Sequence, residues 1–126
     1  MRIAISATGT DLTDQVDPRF GRSQHFIIFD PETSFHEAVD NANVAAGGGA
    51  GIATAQMIVD KGVRAVLTGD CGPNAYQVLS VAGVQVITNV SGSIREAIEA
   101  YKAGRLLASS KPSVDAHYGL QKGAGA

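Results

Sequence analysis

The sequence predicts an open α/β fold, and two observations in its 126 residues predict it. Short β-rich runs and amphipathic helical segments alternate through the second half of the chain, an order typical of parallel strands joined by right-handed helical crossovers. Glycine-rich stretches at residues 47–51 and 69–74 stand just before two of the predicted helices. Because open α/β sheets bind ligands at the carboxyl ends of their strands, these two stretches are the first candidates for a binding site.

Composition and charge narrow the class of protein. The chain is 44% hydrophobic and 17% charged, which suits one folded domain with a single core. Its formal net charge of −2 and the absence of a lysine or arginine block argue against a nucleic-acid partner. The apolar start is too short for a signal peptide, and no run approaches the roughly 20 apolar residues of a membrane helix. We therefore expect a cytoplasmic protein without a membrane partner, present as a monomer or weak homodimer.

Three strands are predicted in the N-terminal part of the chain. Residues 2–6 form a short β run, residues 24–30 are rich in aromatic and β-branched side chains, and residues 34–39 alternate weakly, as an edge strand does. A turn joins the last two as a hairpin, so that one strand of the sheet is antiparallel to its neighbours. The polar loop at residues 7–23 is long for a small domain, and loops of that length are often functional.

Helices alternate with strands in the C-terminal part of the chain. The first helix follows the glycines and ends at Gly62, and the second begins at Pro73, where the missing N–H of proline is harmless. Ser93 and Glu96 form a capping box that begins the third helix. The two remaining strands and a flexible C-terminal tail are predicted at residues 65–68, 84–88 and 109–126.

Several short motifs, taken in order, resemble those of one protein family. They are Asp17-Pro18-Arg19-Phe20-Gly21-Arg22, the run at residues 26–30, the glycines at 47, 49 and 51, Gly62-Val63, Gly69-Asp70-Cys71-Gly72-Pro73-Asn74-Ala75 and Gly83-Val84. Their order and spacing resemble the dinitrogenase iron–molybdenum cofactor biosynthesis family, which includes NifX-type cofactor carriers and the C-terminal domain of NifB-type proteins. The resemblance covers residues 2–105.

The resemblance implies both a fold and a function. The implied fold is a three-layer α/β/α domain with a ribonuclease H-like motif and a five-stranded mixed sheet, in the order 3-2-1-4-5 with strand 2 antiparallel. The implied NifX-like domain spans residues 1–108. The implied function is that of a small non-catalytic protein that binds or carries an iron–sulfur-based metal cofactor or its precursor. Such a carrier would have a metal-cluster donor or acceptor protein as its partner.

The resemblance and the predicted helix starts together indicate candidate binding residues. Cofactor binding is predicted at Arg19, Phe20, Gly21, Arg22, Gly47, Gly48, Gly49, Gly51, Gly69, Cys71, Gly72 and Asn74. Free N–H groups at a helix start and the positive end of the helix dipole favour an anion. Arg19 stands where many family members carry a histidine. An arginine cannot ligate a metal, but its donors can hold an anionic cluster.

Cys71 and His25 are the candidate metal ligands. Cys71 is the one cysteine of the chain, and it lies in a glycine-rich turn before a helix, where a thiol can have a lowered pKa and act as a soft ligand. His25 closely follows the predicted binding loop. An iron–sulfur or iron–molybdenum-type cluster held by one chain usually needs several thiolates. A single cysteine therefore implies few ligands, ligands shared across subunits, or binding mostly through hydrogen bonds and charge.

Two other functions remain open from the sequence. The same N–H groups suit a small phosphorylated or carboxylated metabolite without metal, and in a protein-interaction adaptor the loops would be merely structural. Each candidate residue also has a structural interpretation, namely close packing for the glycines, a small packed side chain for Cys71 and solvated charges for the arginines. Catalysis is not expected, because a nuclease on this kind of fold would need a carboxylate on the first strand and residues 2–6 have none.

Overall fold

A computed structural model describes residues 1–45, 49–109 and 112. The strands are β1 (Arg2–Ala7), β2 (His25–Phe29), β3 (His36–Asp40), β4 (Val63–Leu67) and β5 (Gln85–Ile87). The α-helices are α1 (Ala50–Asp60), α2 (Pro73–Val81) and α3 (Ile94–Lys102), and a short 3-10 helix covers Ala42–Ala45. These elements follow the predicted chain order, and the strands begin and end close to their predicted bounds.

The strands form one sheet in the order β3-β2-β1-β4-β5. β2 is antiparallel to both β1 and β3, while β4 is parallel to both β1 and β5. The predicted strand order and the antiparallel second strand are confirmed. Since β1, β4 and β5 run in one direction, their carboxyl ends at Ala7, Leu67 and Ile87 meet at one edge of the sheet. We call this side of the sheet, which runs across the strand ends and not along β3 or β5, the carboxyl edge. The helices α1, α2 and α3 all begin there.

Helices cover both faces of the sheet. Along β2, Phe26 and Ile28 point into the core beneath α1 and α2, whereas Ile27 and Phe29 point into the core beneath α3. Successive side chains of a strand point to opposite faces, and all four of these are buried, so both faces of the sheet are covered. The predicted three-layer α/β/α arrangement is confirmed.

Local sequence signals position the helices. The Glu96 backbone N–H donates to the Ser93 hydroxyl at 3.1 Å, and the Ser93 N–H donates to the Glu96 carboxylate at 2.9 Å, which is the predicted capping box of α3. Pro73 is the first residue of α2. Gly62, between α1 and β4, has a φ of +74°, a left-handed conformation that favours glycine.

The described chain continues past α3 and contacts the edge strand β5. The Ser109 N–H donates to Val86 O at 2.7 Å, and the Tyr76 hydroxyl donates to Ser109 O at 3.1 Å. The contacts of the domain therefore extend to Ser109, one residue into the predicted tail. The rest of that tail, apart from Pro112, lies outside the described residues. No helix in the described ranges is long and apolar enough to cross a membrane.

Candidate functional site

The long loop at residues 8–24, here called the edge loop, folds back over the carboxyl edge. It is bonded to the end of β1 and to the turn between β4 and α2. The Asp17 N–H donates to Ser6 O at 2.8 Å, and the Asp70 N–H donates to Pro18 O at 2.7 Å. These backbone bonds hold the edge loop against β1 and against the turn that precedes α2.

Gly69 packs directly against the backbone of the edge loop at Pro18. A Cβ atom at Gly69 would lie 2.6 Å from Pro18 Cα and 2.7 Å from the Pro18 carbonyl oxygen, closer than a side chain can approach a backbone. The loop backbone therefore rests directly on this glycine. Loop packing by itself requires a residue without a side chain here, so the glycine has a structural reason independent of any ligand.

The predicted binding segment of the edge loop contains two kinds of residue. Phe20 is only 1% exposed and meets Phe26 edge to face with ring centroids 5.3 Å apart, so it anchors the loop in the core beneath α1 and α2. Arg19 and Arg22 are exposed. The aromatic anchor fixes the backbone from which both arginines extend.

Small residues bring the edge loop, α1 and α2 together. A Cβ atom at Gly21 would lie 3.1 Å from Gly51 Cα, so the edge loop contacts the first turn of α1 backbone to backbone. A Cβ atom at Gly51 would lie 3.7 Å from Ala75 Cβ in the first turn of α2. The three predicted segments therefore meet at the carboxyl edge, although Gly47 and Gly48 lie outside the described residues.

The starts of α1 and α2 differ from the start of α3. Gly49 and Gly72 are the N-cap residues of α1 and α2, and in the described part of the chain neither helix has a side-chain capping hydrogen bond. The first N–H groups of a helix have no acceptor within it, and together with the helix dipole they favour an anion. The exposed Asn74 adds a side-chain amide in the first turn of α2. Because Ser93 already caps α3, the uncapped starts are those of α1 and α2.

Cys71 lies in the core rather than at the surface of the carboxyl edge. Its side chain is 1% exposed and belongs to the apolar cluster beneath α1 and α2. Burial raises the pKa of the Cys71 thiol to about 12, so the thiol is protonated at neutral pH. The predicted lowering of this pKa is wrong, because desolvation of the thiolate outweighs any help from the nearby start of α2.

His25 lies apart from Cys71. Strand alternation puts His25 on the same face as Ile27 and Phe29, beneath α3, whereas Cys71 packs on the other face. The His25 Nδ1 is 3.0 Å from the Asp40 carboxylate. The two predicted metal ligands are therefore not brought together, and the described residues contain no group of three or more His, Cys, Asp or Glu that could hold a metal ion.

Sequence reasoning missed a set of buried polar side chains beneath the carboxyl edge. Ser6 Oγ lies 2.7 Å from both Asp17 O and Thr68 Oγ1, and so it joins the ends of β1 and β4 to the edge loop. Ser6 and Thr68 each end an otherwise apolar run, which is the one sequence signal that could have identified them. The buried polar residues of the described chain are Ser6, Asp17, Ser23, Asn41, Thr54 and Thr68.

The fold and the site define a small three-layer α/β protein in which the edge loop and the starts of α1 and α2 meet at the carboxyl edge. A family model described as dinitrogenase iron–molybdenum cofactor matches residues 1–104. The chain therefore belongs to the dinitrogenase iron–molybdenum cofactor family, and the resemblance predicted from its motifs is confirmed.

Similar proteins match most of the chain. The apo form of the orange protein from Desulfovibrio gigas is 38% identical, with a TM-score of 0.86 over 89% of this chain and 95% of that chain. A Thermotoga protein proposed to be a NifB protein is 39% identical, with a TM-score of 0.75 over 85% of this chain and 91% of that chain. An uncharacterised protein of Methanocaldococcus jannaschii is 30% identical over 109 residues, which are 84% of this chain and 89% of that protein.

Proposed function

We propose that this protein binds and carries an anionic metal–sulfur cofactor, or a precursor of one, at the carboxyl edge. The observation that carries the proposal is that the exposed Arg19 lies at the same edge as two helix starts that have glycine as their N-cap residue and no side-chain cap. The chain also belongs to a cofactor-related family. A similar protein was described in its apo form, which supports a loaded state for that protein. In this proposal the protein has no catalytic turnover and acts in the cytoplasm, where it exchanges its cargo with a cluster donor or acceptor protein.

Hydrogen bonds and charge hold the cargo in this proposal. The sulfide ligands of a metal cluster are anionic and accept hydrogen bonds, which the first N–H groups of α1 and α2 can donate. Arg19 adds a permanent positive charge and several further donors. The donor set therefore fits a cluster that is recognised through its outer ligand shell.

Direct ligation of the metal by this chain is not part of the proposal. Cys71 is protonated and packed in the core, so its thiol would have to leave the apolar cluster and lose a proton before it could ligate. His25 lies on the α3 face of the sheet beside Asp40. The cargo therefore brings the ligands of its own metals with it.

Cluster retention under anaerobic conditions tests the proposal. The parent protein and its variants are mixed with a synthetic iron–sulfide cluster anion, or with extracted iron–molybdenum cofactor. Bound metal and visible absorbance are then measured after gel filtration. We expect the parent to retain metal and Arg19→Ala to bind at least about tenfold more weakly, because a hydrogen bond to a charged group contributes about 1.5–3 kcal/mol and about 1.4 kcal/mol is a factor of ten. Arg19→Lys should be intermediate, since it keeps the charge without the planar fork.

Arg64→Ala is the matched control for charge. Arg64 is exposed near the start of β4, away from the carboxyl edge, so its loss should leave retention unchanged. Cys71→Ala should also retain metal as the parent does. Equal losses of retained metal in Arg19→Ala and Arg64→Ala would contradict the proposed site. A loss of retained metal in Cys71→Ala would make the thiol a candidate ligand again. If the parent protein retains neither cluster, the proposal that it carries a metal–sulfur cofactor is wrong.

A small anionic metabolite is the second candidate ligand. The uncapped starts of α1 and α2 favour it, because helix N termini bind phosphate and carboxylate groups through the same N–H donors. Thermal unfolding is measured with inorganic phosphate, nucleotides and small carboxylates. A rise in Tm that grows with the concentration of one of these compounds, without retention of either cluster, would favour a metabolite. Failure of both measurements would favour a protein-interaction adaptor.

A further inference from the structure

We propose that Ser23, Asn41 and Thr54 form a buried positioning relay, which sets the edge loop against the start of α1 so that both can contact one ligand. The inference rests on the proposed function, because it concerns the same carboxyl edge. None of the three residues was predicted to belong to the site. Their side chains are at most 3% exposed, so the relay acts from beneath the edge without touching the cargo.

Asn41 is the centre of the relay and uses its whole side-chain amide. Its Nδ2 donates one hydrogen bond to Ser23 O at 2.9 Å and another to Thr54 Oγ1 at 3.0 Å. Its Oδ1 accepts the backbone N–H of Asn43 at 3.0 Å. Since an amide group has two donors and a carbonyl acceptor, this geometry fixes which way the amide is oriented.

The two ends of the relay lie in the segments that the proposed site requires. Ser23 directly follows Arg22 in the edge loop, and its Oγ lies 3.1 Å from the N–H of Ala7 at the end of β1. Thr54 lies one turn after Ala50 in α1, and its side chain is fully buried. Ser23 therefore joins β1 to the edge loop, and Asn41 joins the edge loop to α1.

The relay sets the lateral position of the edge loop on α1, which the contact between Gly21 and Gly51 does not set. Gly21 and Gly51 meet backbone to backbone, and such a contact limits how closely the two segments approach. The backbone bonds of Asp17 and Asp70 hold the edge loop to β1 and to the turn before α2, but neither bond reaches α1. Hydrogen bonds have preferred distances and angles, so the bonds of Asn41 set the lateral position of Ser23 relative to Thr54.

Substitutions of Thr54 separate positioning from packing. Thr54→Val keeps the shape of the side chain but removes the oxygen that accepts the Asn41 N–H, whereas Thr54→Ser keeps that oxygen. Ile98→Val is the control for stability, because Ile98 is buried beneath α3 on the opposite face of the sheet. Binding is measured for all variants at a temperature well below the Tm of each, by titration with the synthetic iron–sulfide cluster anion. Amide chemical shifts of Gly21 and Gly51 are recorded without the cluster.

We expect Thr54→Val to bind the cluster about tenfold more weakly and Thr54→Ser to bind within about twofold of the parent. The amide shifts of Gly21 and Gly51 should move in Thr54→Val alone, and Ile98→Val should bind as the parent does. Thr54→Ala, which also removes the hydroxyl that accepts from Asn41 and adds no charge, should reproduce the effect of Thr54→Val. It replaces that variant if Thr54→Val does not fold.

The outcomes also distinguish the relay from the proposed function. Unchanged binding in Thr54→Val, or an equal loss in Ile98→Val, would overturn the relay. If the parent retains no cluster, the proposed function fails, but the amide shifts still decide whether Thr54 positions the edge loop. Unmoved shifts at Gly21 and Gly51 would overturn the relay in that case.

Discussion

The connections between strands and helices differ between the carboxyl edge and the opposite edge of the sheet. At the edge opposite the carboxyl edge, the chain reverses within a few residues at Gly62, at Gly83 and in the turn at residues 30–35. Both glycines have positive φ values, and a Cβ atom there would meet nothing within 4 Å. The turn closes on itself, with the Asp30 N–H donating to Phe35 O at 2.9 Å. Each of these reversals is closed by backbone hydrogen bonds between residues three to five positions apart.

Distant parts of the chain hold one another at the carboxyl edge. Ser6 and Thr68 are 62 residues apart in sequence and 2.7 Å apart in space. Asn41 reaches 18 residues back to Ser23 and 13 residues forward to Thr54. The edge loop is therefore held to the ends of β1 and β4 and to α1, and a binding site needs such preorganisation whereas a simple chain reversal does not.

Charges are also used differently at the two edges. At the opposite edge, the N-terminal amine of Met1 lies 4.0 Å from Asp30 and 3.7 Å from Glu32, and such exposed ion pairs add little to stability. The backbone N–H of Glu32 donates to the Asp30 carboxylate and holds its pKa below the ordinary value. This carboxylate therefore stabilises the turn to which it belongs. At the carboxyl edge, Arg19 and Arg22 extend from a loop that distant contacts hold in place.

The largest expected effect comes from adding one methyl group at each edge. Gly69→Ala would push a Cβ atom against the Pro18 backbone, and we expect it to lower the free energy of unfolding by about 3 kcal/mol. Gly83→Ala strains a residue with a φ of +80° but meets no neighbour, and we expect a loss of about 1 kcal/mol. Urea denaturation of the two variants measures both losses.

The same pair of variants tests whether the two edges differ in how firmly they are held. Gly69→Ala should also weaken cluster retention, because it displaces the edge loop, while Gly83→Ala should leave retention unchanged. Equal losses of stability in the two variants would show that the edge loop yields easily. The carboxyl edge would then be no more constrained than the local turns of the opposite edge.

Below about pH 10, a smaller effect on the free energy of unfolding is expected from the titration of Cys71. The folded pKa of about 12 lies above the ordinary 9.0, so the stability linked to this thiol is complete below pH 9.0 and is lost as the pH rises toward 12. The slope should approach 1.4 kcal/mol per pH unit, roughly the value for one proton. The difference in unfolding free energy between the parent and Cys71→Ala isolates this contribution.

Alkylation provides a second measure of the same thiol. Iodoacetamide should react far more slowly with Cys71 in the native protein than in urea, because the thiol is buried and protonated. Equal rates in the two conditions would show an open Cys71 at the carboxyl edge, and the thiol would return as a candidate ligand.

The smallest expected effect lies in the capping box of α3. The backbone N–H and hydroxyl of Ser93 hold the pKa of Glu96 below its ordinary value of 4.5. The stabilisation by this carboxylate is therefore present above pH 4.5 and is lost as the pH falls through the folded pKa. The Tm of Glu96→Gln should depend less on pH in that range than the Tm of the parent. Glu99→Gln, an exposed substitution on the same helix, should keep the dependence of the parent.

Much of the fold could be predicted because its signals are local. Ser93 and Glu96 are three residues apart, and their capping box forms wherever the surrounding chain is placed. The aromatic and β-branched run of β2 and the break at Gly62 likewise depend on a few neighbouring residues. The position of the candidate site at the carboxyl edge followed from strand order, since parallel strands end together and the helices that follow them begin there.

The roles of individual residues at that edge could not be predicted in the same way. The chain alone predicts where strands and helices begin and which turns carry glycine, because these depend on conformational preferences within short windows. The folded structure was needed to show that Cys71 is buried with a raised pKa, that Gly69 packs against Pro18, and that Asn41 joins the edge loop to α1. Burial and long-range hydrogen bonds depend on which distant segments the fold brings together, and no local pattern in the chain records that.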